Sequence, residues 1–531
     1  MSRKVFCLCL VILLVLPLLP GCGSSSPPAE KEKITDTSQR AAEPVDTSVT
    51  YRKEVVIGTD LEIMAPNSYL GSGPAMNQQA ELLYSRLVEV DKLTRELIPD
   101  AAVEWGDVSE KSNFTVWEFK LREGMTFHNG NSLTADDIIY SWECAHDATI
   151  APNVMSATTV FEIEKLDDYT VRFHMSDPEI DFPRNARLMF IVDKETCTEQ
   201  GFEKGGAIGT GPYKFENWTT GVEYSYTKFA DYYDADNVAT ERLVFKPIPD
   251  SSTRLVALQT GEIDIMANVD STAYDIIKQD GSLQLISRKG YNTYMLNFCC
   301  DAVPAMQDLR VRQAINHALN RDEIIAIAFT NLGEAWNCVA SPSIPGSIEV
   351  KGYEYNPEKA RELLADAGYG KGLTLKCIHW GGVFDKLAAI AQAQLAEVGI
   401  NMDVEQVDSA TFNTIALKGE TPLFFSYNGS TVTDIFSSIF SKCYSSGSAF
   451  NPYWTTEPEF DALLEKAQAS IDEEERFKIA AELCQMLDDY AVNYSIAVAY
   501  ITFAAKAEVE GLIVDVSIPT MDYSTVRIPE V

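Results

Sequence analysis

The sequence predicts an α/β fold divided among more than one domain, and three observations carry that prediction. The chain has 531 residues, too many for one hydrophobic core, and at about 150 residues per domain it divides into roughly two to four. Helical and alternating apolar patterns interleave along it, as at 387–404, where a helical stripe runs into a short alternating strand. Hydrophobic residues make up 46% of the chain and charged residues 23%, the balance of a globular protein. The charge is strongly acidic, with 43 Lys+Arg against 78 Asp+Glu for a formal net charge of −35. Such a surface argues against nucleic acid or anionic lipid headgroups as general partners.

At the N-terminus, Arg3 and Lys4 precede an apolar run, 5–19. It is shorter than the about 20 residues that a membrane-spanning helix needs and reads as a secretory leader. The leader ends Leu19-Pro20-Gly21-Cys22, which resembles the lipobox of bacterial lipoproteins. That resemblance implies that residues 1–21 are removed and that Cys22 is diacylated, anchoring an extracytoplasmic protein to the cell membrane, at the cell surface or in a periplasm. Residues 22–53 are rich in Ser, Pro, Glu and Lys, cannot bury a core, and are expected to form a flexible tether.

Order is expected to begin near Glu54, in a strand carrying Val55 and Ile57. The run 78–90 reads as a helix with Leu82, Leu83, Arg86 and Leu87 on it. Thr115, Trp117, Phe119 and Leu121 then share one face of a half-buried strand. Gly124 and the His128-Asn129-Gly130-Asn131 turn reverse the chain around Met125 and Phe127. Thr134 with Asp137 three residues on starts a helix whose inner face holds Ile138, Trp142 and Ala145. Phe161 and Ile163, a turn at Asp167-Asp168, and Val171, Phe173 and Met175 spell a hairpin.

In the run GTGPY at 209–213 a proline and then a strand follow the glycines, where a phosphate cradle needs a helix. At 255–265 a helix, a glycine turn and a strand follow. Val311, Ala314, Ile315, Ala318 and Leu319 form a helical stripe, and Asn320 with Glu323 caps the next helix. Asn356-Pro357 opens another, with Ala360, Leu363, Leu364 and Ala367 inward and Gly368 at its end. After 387–404, late helices carry Phe460, Leu463, Leu464 and Ala467, then Phe477, Ala480, Cys484 and Leu487. Strands at 497–504 and 512–516 close the chain.

The segment 93–145 resembles, word for word, the peptide- and nickel-binding class of bacterial extracellular solute-binding proteins, family 5, the receptors of ABC importers. The matching residues are Pro99, Ala101, Trp105, Phe119, Leu121, Arg122, Gly124, Phe127, His128, Gly130, Thr134, Ala135, Asp137 and Ser141. GTGPY at 209–213 and DLRVRQAI at 308–315 are further landmarks of that family, so the likeness runs from about Val55 to Ile528. It implies a two-lobed, periplasmic-binding-protein-like fold of the class II type with an extra subdomain. Residues 54–76, 208–298 and 499–531 would form the hinge lobe, 77–207 the extra subdomain and 299–498 the second lobe. The implied function is capture of an oligopeptide or similar polar solute between the lobes and delivery to an ABC permease and its ATPase, by a monomer without cofactor.

Catalytic motifs do not stand out: there is no G-x-S-x-G, H-E-x-x-H, Walker-type or calcium loop. The histidines at 128, 146, 174, 317 and 379 lack ligand spacing and read as turn or packing residues rather than metal ligands. With Cys7 and Cys9 in the leader and Cys22 lipidated, the cysteines at 144, 197, 299, 300, 338, 377, 443 and 484 read as free buried thiols, their pairing left open.

Solute capture needs aromatic walls and a few convergent polar groups. Candidates are Trp380 in the run IHWGG, Tyr427 and Asn428 in FFSYNG, and Tyr444 and Trp454 in the loop-like stretch 443–454. In peptide-binding members a Trp-x-x-Asp occupies the second of these runs, its aspartate pairing with the peptide's ammonium. Here Phe425 stands in the tryptophan's place and Asn428 in the aspartate's; asparagine cannot neutralise an ammonium, and Asp434 is the nearby carboxylate able to substitute. Trp380, Tyr427, Tyr444 and Trp454 would equally suit stacking on an oligosaccharide, and a metal chelate is the other rival solute. A surface sensor and a secreted hydrolase are the rival roles.

Overall fold

Two long strands organise the fold. Leu283–Phe298 and Asn493–Lys506 span 16 and 14 residues, well beyond the about five to six of an ordinary strand. They run antiparallel from Leu283 opposite Lys506 to Asn297 opposite Asn493, with a register shift between Lys289 and Thr293. The computed structural model describes residues 45–46, 48–71, 74–110, 113–147, 150, 159–429, 434–446, 448, 451, 457–515 and 520–530. The leader, Cys22 and most of the tether lie outside them. No helix among the described residues is long and apolar enough to cross a membrane.

The long pair joins two halves of one eleven-stranded sheet. On one side, Asn493–Lys506 pairs with Ile265–Ala267, and the sheet continues through Glu54–Thr59, Arg242–Pro247, Glu223–Lys228 and Tyr213–Thr219. Val55 and Ile57 face a core with Tyr69, Leu83 and Phe245, while Val56 faces Leu255, Leu258 and Ile263. On the other side, Leu283–Phe298 pairs with Leu423–Asn428, which lies parallel to Leu373–His379, itself parallel to Ile400–Gln406. Helix Val383–Glu397 covers one face of these strands and Ser409–Leu417 the other, so Cys377 and Phe425 pack with Leu387 while Ile378 and Phe424 pack with Phe412. Alternate side chains of one strand thus feed two cores.

A separate four-stranded antiparallel sheet runs Ala102–Asp107, Val116–Leu121, Thr170–Met175, Val160–Asp167 in spatial order. Trp117, Phe119 and Phe173 pack beneath it with Trp142 and Phe182, in the same core as Phe245. The capping box is present: the Thr134 N–H and Oγ1 both donate to Asp137, at 2.9 and 3.0 Å. Asn320 accepts the Glu323 N–H at 3.2 Å at the next predicted cap. The stripe Val311, Ala314, Ile315, Ala318 and Leu319 is wholly buried.

Four local expectations need correction. The helix expected over 78–90 is instead Pro74–Leu83. It stops because GTGPY packs on its end: the Gly211 N–H donates to Leu83 O at 2.9 Å, and a Cβ at Gly209 would stand 2.0 Å from that same oxygen. Arg86 therefore leaves the helix, and Val88–Val90 pairs with Leu97–Pro99. Order begins earlier than Glu54, since Tyr51 bridges to Pro529. Phe161 and Phe477 are exposed; Ile479 and Leu483, with Ala480, Cys484 and Leu487, make the buried face of helix Glu473–Asp489. The stretch expected to be loop-like from 443 begins inside a wide-turned helix, Phe436–Tyr444.

Where Arg86 leaves the helix, a buried ionic cluster forms. Arg86 donates to Glu81 at 2.5 Å, Lys92 lies 3.2 Å from Glu81, and Arg187 donates to Glu89 and stands 3.8 Å from Glu81. Burial resists ionisation of Glu81, but Arg86, Lys92 and Arg187 outweigh it and hold the carboxyl well below the usual carboxylate range.

Candidate functional site

Strands Leu373–His379, Ile400–Gln406 and Leu423–Asn428 run parallel, so their carboxyl ends share one edge, the place where open α/β sheets bind ligands. His379-Trp380, Gln406 and Tyr427-Asn428 converge there. The chain turns at Gly381 and Gly382, both at positive φ (+96° and +70°), before entering helix Val383–Glu397. The positive φ favours glycine at 381, where a Cβ would also stand 2.6 Å from Gln406 Nε2 and push that amide aside. His379 Nδ1 accepts the Gly381 N–H at 3.1 Å and lies 3.3 Å from Asp385. Burial pulls this imidazole below its ordinary value, with Asp385 working the other way.

An aromatic shelf borders this edge. Tyr427 is 44% exposed, with its ring 6.0 Å from Trp380, 5.6 Å from Tyr294 and 6.4 Å from a nearly parallel Phe384. Trp380 rests edge-on against Phe412 at 4.4 Å and Phe384 at 4.5 Å. The rings brace one another, leaving the Tyr427 face open to a stacking partner.

On the opposite face of the same strand lies a row of amides and hydroxyls. Asn428 and Asn493 both donate from Nδ2 to the Tyr444 hydroxyl oxygen, at 3.3 and 3.1 Å. Ser495 Oγ lies 3.3 Å from Asn493 Oδ1, and Asn297 Nδ2 donates to Ser426 Oγ at 2.7 Å. Asn428 and Tyr444 are buried, and burial raises the Tyr444 phenol far above its ordinary value. Next to Asn428, a Cβ at Gly429 would stand 2.1 Å from Asn292 Oδ1. The long strand Leu283–Phe298 is thus pressed against the site at its register shift.

Asp434 is occupied by a cation of the chain itself. Its buried carboxylate accepts from Arg476 Nη2, which also donates to Asp181 at 2.6 Å, and the guanidinium lies 5.2 Å from the Phe436 ring. Burial works against the Arg476 charge, yet Asp181 and Asp434 outweigh it and leave the guanidinium above its ordinary value. Asp181 precedes the short helix Phe182–Ala186, whose Phe182 belongs to the core of Tyr69 and Phe245, whereas Phe436 and Ile479 around Arg476 belong to the core of Ile378 and Phe412. Arg476 therefore ties two separately packed parts of the chain.

The structure brings Trp380, Tyr427 and Asn428 to one sheet edge and joins Tyr444 to Asn428 by a hydrogen bond. Phe425, on the same side of the strand as Tyr427, lies deeper and is 1% exposed in the core with Leu387. Asp434 faces Arg476, and Trp454 lies outside the described residues. Tyr294 and Asn493 carry no signal in the sequence because cross-strand neighbours are invisible without register, and Phe384 reaches the shelf from helix Val383–Glu397. Arg476 had a legible signal: it shares a helical stripe with Ala480, Leu483 and Leu487, a charge on an apolar face. Among the described residues no group of three His, Cys, Asp or Glu side chains is placed to hold a metal ion.

Comparison with known proteins adds an independent line. The profile of "Bacterial extracellular solute-binding proteins, family 5 Middle" matches residues 96–450. The "Dipeptide-binding protein" of Escherichia coli strain K12 is 27% identical over 484 residues, covering 84% of this chain and 89% of that protein. "Heme-binding protein A" of Haemophilus influenzae is 27% identical over 442 residues, covering 77% and 80%. Among solved structures, the ABC transporter-associated periplasmic binding protein DppA from Helicobacter pylori in complex with peptide STSA superposes with a TM-score of 0.77 at 25% identity, covering 91% of this chain and 99% of the other.

Proposed function

The chain belongs to the bacterial extracellular solute-binding proteins, family 5, and from that premise we propose that it is the lipid-anchored receptor of an ABC importer for an oligopeptide. Cys22 would carry the lipid, and the residues between it and the bridge at Tyr51 the tether. The hinge lobe (54–76, 208–298, 499–531) with its extra subdomain (77–207) and the second lobe (299–498) would close on the solute, which a permease and its ATPase then transport. The observation that carries the peptide reading is the likeness, over most of both chains, to the dipeptide-binding relative and to the peptide-complexed structure. Closure would flex the long strands at the shift between Lys289 and Thr293, where Gly290 lies so near its partner that a Cβ would stand 2.8 Å from Ala499 O.

Solute contacts are assigned to the sheet edge: Tyr427 and Trp380 as the apolar wall, Asn428 with Tyr444 behind it as the polar group. Asn428 is neutral and Asp434 is held by Arg476, so the peptide's ammonium meets no free carboxylate of this pair. Backbone hydrogen bonds would then carry more of the recognition than terminal charge does. A second reading, a ring-bearing solute such as an oligosaccharide or metal chelate, is favoured by the exposed Tyr427 face.

Native mass spectrometry of the purified protein identifies what it carries, and calorimetry with that peptide and its N-acetylated form tests the site. Acetylation should weaken binding by less than tenfold. Asn428→Asp should raise the preference for the free amine by about tenfold, the difference between a charged and a neutral hydrogen bond. A bound glycan or chelate would replace the peptide reading, and an unchanged preference in Asn428→Asp would remove residue 428 from the site.

A further inference from the structure

We propose that Cys338 and Cys484 are the two halves of a disulfide that forms as the second lobe folds outside the cell membrane. The sulfurs lie 3.4 Å apart across 146 residues of sequence, and closing to a bond of about 2.05 Å asks for only a small approach. Cys338 stands in the segment after strand Gly333–Ala335, and Cys484 on the buried face of helix Glu473–Asp489. All eight described cysteines are free thiols in this structure. An extracellular solute-binding protein works where disulfides persist.

The pair is prepared chemically as well as geometrically. Ser347 Oγ, which lies 2.7 Å from Ala340 O, stands 3.7 Å from Cys338 Sγ. Burial resists ionisation of Cys338, but hydrogen bonds from Cys484, Ala340 and Ser347 prevail and lower it, while sharing the proton with Cys338 raises Cys484. The other six described thiols are all raised by burial. Both sulfurs are buried and border a cavity of about 20 Å³, room for a water but not for another protein's disulfide. Exchange therefore precedes final packing.

The oxidant is the disulfide of an exported dithiol protein. The thiolate of one cysteine of the pair attacks one of its sulfurs, forming a mixed disulfide and expelling the other as thiolate. The second cysteine then gives up its proton and attacks the chain's sulfur of that mixed disulfide, forming the Cys338–Cys484 bond and expelling the second thiolate. The chain's two thiols are oxidised, the oxidant's disulfide is reduced, and the two thiol protons end on the reduced oxidant.

The bond would fasten helix Glu473–Asp489, which carries Arg476, to the segment whose Cys338 carbonyl accepts from Ser495 Oγ at 3.1 Å. The test uses the exported full-length protein, denatured in an alkylating agent without reductant, digested and analysed by mass spectrometry. The expected result is a peptide pair joined through Cys338 and Cys484 that separates on reduction. Both residues alkylated before reduction, or either joined to another cysteine, overturns the proposal. Thermal unfolding supplies the second measurement: reductant should lower the midpoint of the wild type and leave that of Cys338→Ser unmoved. An equal response of the two proteins counts against the bond.

Discussion

Arg187 and Arg476 each sit among carboxylates, but the carboxylates come from different places. Arg187 is 1% exposed, with Glu89, Glu81 and Asp515 around it, all beside a single core. Arg476 is held by Asp434, itself buried, and by Asp181, which is 26% exposed and arrives from beside another core. An ion pair closed inside one core has no alternative once the chain has folded. A pair made across two cores can open when they part, because water can solvate the exposed partner. The first cluster reads as framework and the second as a joint.

The framework cluster is most vulnerable at Glu81, whose carboxylate serves Arg86, Lys92 and Arg187 together. Glu81→Gln leaves three buried cations short of a counter-charge and should cost about 3–5 kcal/mol in urea unfolding. The pH dependence has a definite sign. Glu81 is held far below its unfolded value of about 4.3, so its contribution is complete above that pH and drains away as the pH falls below it. Glu81→Gln should therefore be flatter than wild type in acid. A loss under about 1 kcal/mol would deny the cluster its role as framework.

Asp100, beside the same cluster, responds to pH with the opposite sign. It accepts the Arg86 N–H at 2.7 Å, yet burial, aided by Glu89, pushes its carboxyl up to about 7. Because the folded value lies above the unfolded one of about 3.9, stability is complete below about pH 4. It then declines as the pH rises toward 7, by roughly 1.4 kcal/mol per pH unit at most. Asp100→Asn keeps an acceptor for the Arg86 N–H and should level that slope. Unfolding free energies at pH 4.5, 5.5 and 6.5 decide it, and an undiminished slope in the variant would assign the dependence to another group.

How much of this was legible beforehand depended on how local the cause was. Caps, turns and stripes were, because Thr134 with Asp137 or Val311 with Ala314 and Ile315 act within a turn or two of helix. The segment 78–90 misled because its helix is ended by glycines more than 120 positions later, packed on the Leu83 carbonyl. At the candidate site, Trp380, Tyr427 and Asn428 were visible as aromatics and amides near strand ends. Their faces were not: Phe425 and Tyr427 share a side of the strand, and only the depth of the sheet makes one core and the other shelf. Asp434 looked available because Arg476 lies 42 residues away on another element.

Asp181→Asn gives the smallest expected effect and the one that separates joint from framework. Arg476 keeps Asp434 in this variant, and Asp181 is partly hydrated, so the loss of stability should stay within about 1 kcal/mol. If the Asp181 contact forms as the lobes close, the variant loses it only in the closed form, and the closed population falls by that contact's worth. Affinity for the co-purified solute should then drop by about two- to fivefold in calorimetry. Salt should mimic the mutation in the wild type and do less in the variant, since screening acts on a pair the variant lacks. Equal affinity and equal salt dependence would take Asp181 out of closure. A stability loss as large as that of Glu81→Gln would instead make Arg476 a second piece of framework.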